Sequence, residues 1–267
     1  MSDLSITKAG ADETTTKAVT FTEPLKIDIS YNFKDSDITL VSSDTVHFRF
    51  HSYMIVGSSR VLRDTLSICG TSPRQVHLSD DNMGGRTTLK FFLDIIYGQI
   101  LRPPSKSHEY ENYERLIQFI VKYDCSYPLE HIKTCLRLWI SIDNNSHLDQ
   151  FFLFACLLDD EELAGMAIRS SGKGVSWPNL KINVKNISPL SDKEESPKVT
   201  PSDRDIPYHN RIDITSWKIS RFRRIPDDFK FAFLRAENET LKNKDGDTDW
   251  EAIADRFLIV ISELKGN

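Results

Sequence analysis

Several stretches of the chain carry residue types that do chemistry, and each chemistry demands a spacing. SGKG at 171–174 has the glycine and lysine of a phosphate-binding loop. That loop also needs an earlier, spaced glycine and a Ser or Thr after the lysine, and it follows a strand. Here Gly174 follows Lys173 and a helical pattern precedes, so the stretch reads as a helix C-terminus. NKDGDTDWE at 243–251 has the composition of a calcium loop. Setting Gly246 at the obligatory glycine puts Leu241 and Ala252 at the first and last ligand positions, where carboxylates are required. An acidic turn before a helix fits better, with Asp247 or Asp249 as N-cap. The seven histidines form no H-x-x-x-H or H-E-x-x-H pair, and no G-x-S-x-G occurs. The four cysteines, Cys69, Cys125, Cys135 and Cys156, are widely spaced without a C-x-x-C, as structural thiols are. Asp159-Asp160-Glu161-Glu162 opens a helix, where negative charge complements the dipole. RFRR at 221–224 reads as a short solvated basic patch. The expectation is a non-enzyme, with no catalytic residue, no cofactor and no metal.

The elements that would position any site follow from periodicity. Residues 1–22 are polar and aperiodic and read as a disordered tail. Ile38 and Leu40, a polar turn at Ser43-Asp44, then the alternating Val46, Phe48 and Phe50 predict a β-hairpin with one buried face. Tyr53 to Val56 reads as a short helix interrupted by Gly57. Ser58 or Ser59 then caps a helix from Arg60 to about Cys69 that Gly70 closes. QVHL at 75–78 fits a third short strand. Leu89, Phe92, Leu93, Ile96 and Tyr97 share one helical face ending at Gly98, and Tyr113, Leu116, Ile117, Ile120 and Val121 share another. A helix from Pro128 carries Leu129, Ile132, Leu136, Trp139 and Ile140. Residues 147–157 and 159–170 predict a helix pair, and Trp250 to Leu264 a terminal helix. The fold class is therefore α+β, a small sheet flanked by helices, followed by an all-helical C-terminal segment.

Lys and Arg total 34 against 39 Asp and Glu, a formal charge of −5, so no general basic footprint for nucleic acid or a membrane surface exists. The first residues lack the basic start and apolar run of a signal peptide, and FFLFACLL at 151–158 is too short to span a bilayer. An intracellular protein, in cytoplasm or nucleus, is expected, with no nucleic-acid or membrane partner.

The order Asp37-Ile38, polar turn, VHFRF, His51, Ser59 before VLRDTL, then QVHL, KFFLDIIYG and YERLIQFIVKYDC resembles a BTB/POZ domain. The resemblance is closest to compact fungal-type members. It organises 23–140 as a BTB/POZ-like domain and 141–175 as a BACK-like helical extension; beyond about 175 the polar, proline-containing composition reads as a linker or long loop at 176–210, followed by a C-terminal region at 211–267 ending in a helix. Asp37, His51, Ser59, Tyr97 and Gly98 would be its structural signature. The resemblance implies a non-enzymatic protein–protein interaction module, forming a homodimer or binding other proteins. It also admits a substrate adaptor of a cullin-type ubiquitin ligase; an unrecognised enzyme is the remaining alternative. Members that dimerise tightly carry a leading helix, whereas EPLKIDISYNFK alternates Leu25, Ile27, Ile29, Tyr31 and Phe33 as an added strand would. These five, with Leu66 and Ile68 of the LSICGTSPRQ loop, form the expected interaction surface. That loop lacks the glutamate of cullin binders.

Overall fold

Alternation along Val46–Phe50 sends three large apolar side chains to one side of a strand, and they need a covering layer. Helices supply it in the computed structural model, which describes residues 4–5, 25–68, 74–80, 83–142, 147–171, 212–240 and 248–266. The architecture is α+β, a small sheet flanked by helices that continues into a helical C-terminal region. The strands are β1 (Leu4–Ser5), β2 (Lys26–Asn32), β3 (Ile38–Val41), β4 (Val46–Phe50) and β5 (Arg74–Leu78). Their spatial order is β1-β5-β3-β4-β2. β3 and β4 form the expected hairpin, with Leu40 opposite Phe48 and Ile38 opposite Phe50, and β5 adds parallel to β3 with Val76 beside Leu40. All five side chains are buried. Ser42 closes the turn: its backbone N–H donates to the Val46 carbonyl, and its hydroxyl oxygen accepts the Val46 N–H, both at 2.9 Å.

The opposite sheet face carries a histidine pair. Val41 stands in register with His47 on one side and His77 on the other. Burial, then the charges of His77 and Arg49, hold His47 below its ordinary 6.5. The folded chain therefore binds this proton more weakly than the unfolded chain. Stability that His47 contributes above pH 6.5 is lost as pH falls through its folded value. Urea midpoints are expected to drop on acidification below 6.5, and less steeply in His47→Gln; identical slopes in the two proteins would contradict this.

Two expectations for the N-terminal part need correction. Leu4–Ser5, placed in a disordered tail, pairs antiparallel with His77 and Leu78; the rest of residues 1–22 lies outside the described residues. Strand β2 forms and pairs parallel with β4, but without strict alternation. It advances from Ile27 to Asn32 while β4 advances only from His47 to Arg49. This bulge turns Asp28 and Tyr31 inward and Ile29 outward.

The helices are α1 (Ser52–Ser58), α2 (Arg60–Ile68), α3 (Arg86–Ile96), α4 (Ser107–Lys122), α5 (Ser126–Ser141), α6 (Leu148–Leu157), α7 (Glu161–Ser170), α8 (Ile219–Phe222), α9 (Asp227–Glu239) and α10 (Trp250–Lys265). Helix α1 runs through Gly57 instead of breaking there, since a glycine lowers helix stability by only about 1 kcal/mol and tertiary packing overrides it. Helix α5 starts two residues before Pro128, whose missing N–H is still unneeded in the first turn. Val121 closes α4 exposed, off the buried stripe of Leu116, Ile117 and Ile120. Cys69, Gly70, the stretch 172–174, the linker at 176–210 and residues 241–247 lie outside the described residues. Asp249 is the N-cap of α10, accepting the Ala252 N–H at 3.0 Å.

One buried apolar cluster runs from the sheet through α3–α7 to the C-terminal helices. The expected extension and C-terminal region share this core. Helix α10 packs on both α7 and α9, and Phe152 of α6 lies against the rings of Trp217, Phe233 and Phe257. Gly165 permits the close approach of α7 and α10, because a Cβ there would stand 3.2 Å from the Leu258 side chain. Helix α9 is an element that the sequence reading passed over. Its buried Phe229, Ala232, Phe233 and Ala236 recur at i, i+3, i+4 and i+7, so the signal was present. The RFRR stretch is not simply solvated. Arg221 donates to Asp149 at 2.7 Å and lies 3.7 Å over the Trp217 ring, and Arg224 pairs with Glu114. These arginines fasten the segment before α9 to α4 and α6.

Candidate interaction surface

The signature residues occupy the joints between sheet and helices. Asp37, in the bend before β3, accepts the Ser52 N–H at 2.7 Å and the Ser52 hydroxyl. It thereby caps α1 from a different element, where the N-cap His51 makes no side-chain cap of its own. Burial acts to raise the Asp37 pKa, but the Ser52 hydrogen bonds outweigh it and hold the carboxyl below its ordinary 3.8. Ser59 caps α2 by accepting the Leu62 N–H at 3.1 Å, and its hydroxyl donates to the Tyr123 carbonyl. One side chain so ends one helix corner and ties it to another. Gly98 takes a left-handed φ of +74° after α3, and the next N–H, of Gln99, returns to the Asp94 carbonyl at 2.8 Å.

His51 and Tyr97 meet across the fold. The Tyr97 hydroxyl accepts the His51 backbone N–H at 3.2 Å and lies 2.9 Å from Nδ1, while Nε2 faces Asp35 at 3.3 Å. The ring thus lies between a phenol hydroxyl on one nitrogen and a carboxylate on the other. A histidine between a carboxylate and a hydroxyl has the form of an activated nucleophile. Here burial raises the phenol's pKa, so it holds its proton, and Asp35 is largely exposed. Its contribution is to pin the end of β4 and the start of α1 to the end of α3. Asp37 and His51 do not bond each other; each finds its own partner on a helix end.

The expected surface residues divide. Tyr31 is core: its hydroxyl donates to Asp94 at 2.7 Å, which Lys90 also contacts at 2.8 Å, and burial raises its pKa. Phe33 is half-buried, stacked on Tyr97 with ring centroids 5.6 Å apart, and Ile27 is half-buried. Leu66 is core as well, which removes it from the surface, while Ile68 is exposed. Leu25 and Ile29 face solvent at 62% and 92% exposure. What spacing missed is the anchor of the strand. Asp28 is buried, pairs with Arg86 at 2.9 Å and accepts the Ser30 N–H at 3.0 Å inside the bulge. No local pattern joins Asp28 to Arg86, because only the tertiary fold brings β2 beside α3.

Among the described residues, the thiols of Cys125, Cys135 and Cys156 are held protonated by burial. Burial pushes Cys125 up to about 12 and raises Cys135 and Cys156, each away from the range where a cysteine attacks or binds metal. Among the described residues, no three His, Cys, Asp or Glu side chains are grouped to hold a metal ion, and no helix is long and apolar enough to cross a membrane. No protein-family model matches the chain, and no curated protein matches it. Residues 69–73, where a cullin-binding element would lie, are outside the described residues.

Proposed function

We propose that the chain is a protein-interaction module of the BTB/POZ type, associating with a second copy or another protein through the β2 edge. The observation that carries this reading is Ile29, 92% exposed on a strand that ends the sheet. An apolar edge strand is a template for an incoming strand unless it is blunted. The bulge and the buried Asp28 shorten the regular part of that edge, so the association is expected to be weak and reversible, not permanent. Among the described residues Cys125, Cys135 and Cys156 are free thiols, the first and last of them buried, which supports an intracellular setting, where thiols stay reduced.

Sedimentation over a wide concentration range, comparing the full chain with Ile29→Lys, tests the proposal. Concentration-dependent association that Ile29→Lys abolishes is the expected result. A tight dimer untouched by the substitution, or a monomer throughout that also captures no protein partner through this edge, would overturn it.

A further inference from the structure

We propose that the groove where α2 and α5 begin binds a phosphoryl group, either free or carried on a phosphorylated protein side chain. The groove, of about 230 Å³, lies between the α1–α2 corner and the turn that joins α4 to α5. That is below the roughly 300–1,000 Å³ of pockets for whole small molecules, so it admits one functional group.

Its chemistry follows from a census of donors and acceptors. The inner hydroxyls are already committed: Ser58 donates to the Met54 carbonyl at 2.6 Å, and Ser59 joins Leu62 and Tyr123. What remains is donor-rich. Arg60 and Arg63 stand at i and i+3 on one face of α2 and line the groove. Arg60 makes no ion pair among the described residues. The carboxylate nearest Arg63 is its sequence neighbour Asp64, exposed and at 3.5 Å. The Ser126 hydroxyl has no partner among the described residues, and α5 begins there without a side-chain cap. Two arginine side chains and a hydroxyl thus line one opening beside the start of α5, where Ser126 and Tyr127 carry N–H groups and Pro128 carries none. Asp124 is the one carboxylate in the lining, and its left-handed φ of +48° holds it at the turn. It works against an anion, which supplies a second, opposite-signed test.

The experiment is a backbone-amide NMR titration of the full chain with inorganic phosphate, at ionic strength held constant with chloride. A second arm uses a short neutral peptide carrying one phosphoserine, with its unphosphorylated twin. Saturable shifts are expected at Arg60, Arg63, Ser126 and Tyr127. Arg60→Ala with Arg63→Ala should weaken binding about tenfold or more, the loss of two charge-assisted contacts. Asp124→Asn, which suits a left-handed backbone, should tighten it. Phosphate and phosphopeptide both acting identifies a protein-borne group; phosphate alone identifies a free anion. Shifts scattered over the surface, unchanged in the arginine variant, or matched by chloride or the unphosphorylated peptide would overturn the proposal, as would weaker binding in Asp124→Asn. The titration reads shifts at the groove residues, which lie away from the β2 edge, so the two proposals fail separately.

Discussion

Replacing Phe152 by alanine is expected to lower the unfolding free energy by about 3–5 kcal/mol, among the largest effects of any single truncation in this chain. Phe152 is fully buried on α6, and its ring lies 5.3 Å from that of Phe233, 6.2 Å from Phe257 and 6.5 Å from Trp217. These partners come from α9, α10 and the segment before α8, so the cavity would open where the earlier helices meet the C-terminal ones. Neighbours on three elements cannot all close on the gap, and the transfer and cavity contributions therefore add. Urea unfolding followed by far-ultraviolet circular dichroism and by tryptophan fluorescence measures the loss. The wild type should unfold in one transition by both signals, because the core is continuous. A loss below about 1 kcal/mol, or a C-terminal transition separate in the wild type, would show that the C-terminal helices do not depend on this contact.

Asp160→Ala is expected to be the next most damaging change, at about 2–4 kcal/mol. The residue is 7% exposed and works twice. Oδ1 accepts the Leu163 N–H at 2.9 Å and caps α7, while Oδ2 pairs with Arg137 at 2.9 Å and Lys133 at 3.4 Å on α5. Removing it orphans the N-terminus of α7 and takes from Arg137 and Lys133 the carboxylate they share. Arg137 retains some solvent access, which keeps the loss below that of a fully enclosed pair. Asp160→Asn separates the two roles. Asparagine caps as well as aspartate, so it should restore part of the stability and leave the ion-pair contribution missing. Equal stability of the alanine and asparagine variants would mean that the cap contributes nothing. Equal stability of asparagine and wild type would mean that the pairing contributes nothing.

Short-range patterns settled much of this protein before any tertiary contact is considered. The period-two run at 46–50 makes a strand, and the apolar rows in 89–96, 113–120 and 250–261 make helices. Asp249, Ser59 and Gly98 mark the boundaries that their backbone chemistry favours. Periodicity acts locally: a face that is apolar along its length must be buried by something, whatever that partner is.

Tertiary structure decided what periodicity leaves open. The alternation of Leu25, Ile27, Ile29, Tyr31 and Phe33 could not announce a bulge, because the bulge exists to place Asp28 against Arg86 and Tyr31 against Asp94. Neither partner lies near β2 in sequence. Leu66 and Ile68 look alike in the chain, yet one is core and the other exposed, because their side chains leave α2 in different directions. RFRR reads as a surface charge run until Asp149, Trp217 and Glu114 are brought to it. The groove at Arg60 and Arg63 likewise arises from a helix corner meeting a turn about sixty residues later in the chain, tied by the Ser59–Tyr123 hydrogen bond. Sequence determines which faces must find partners; which partner each one finds depends on contacts between residues distant in the chain, and those set the charge, exposure and shape of a surface.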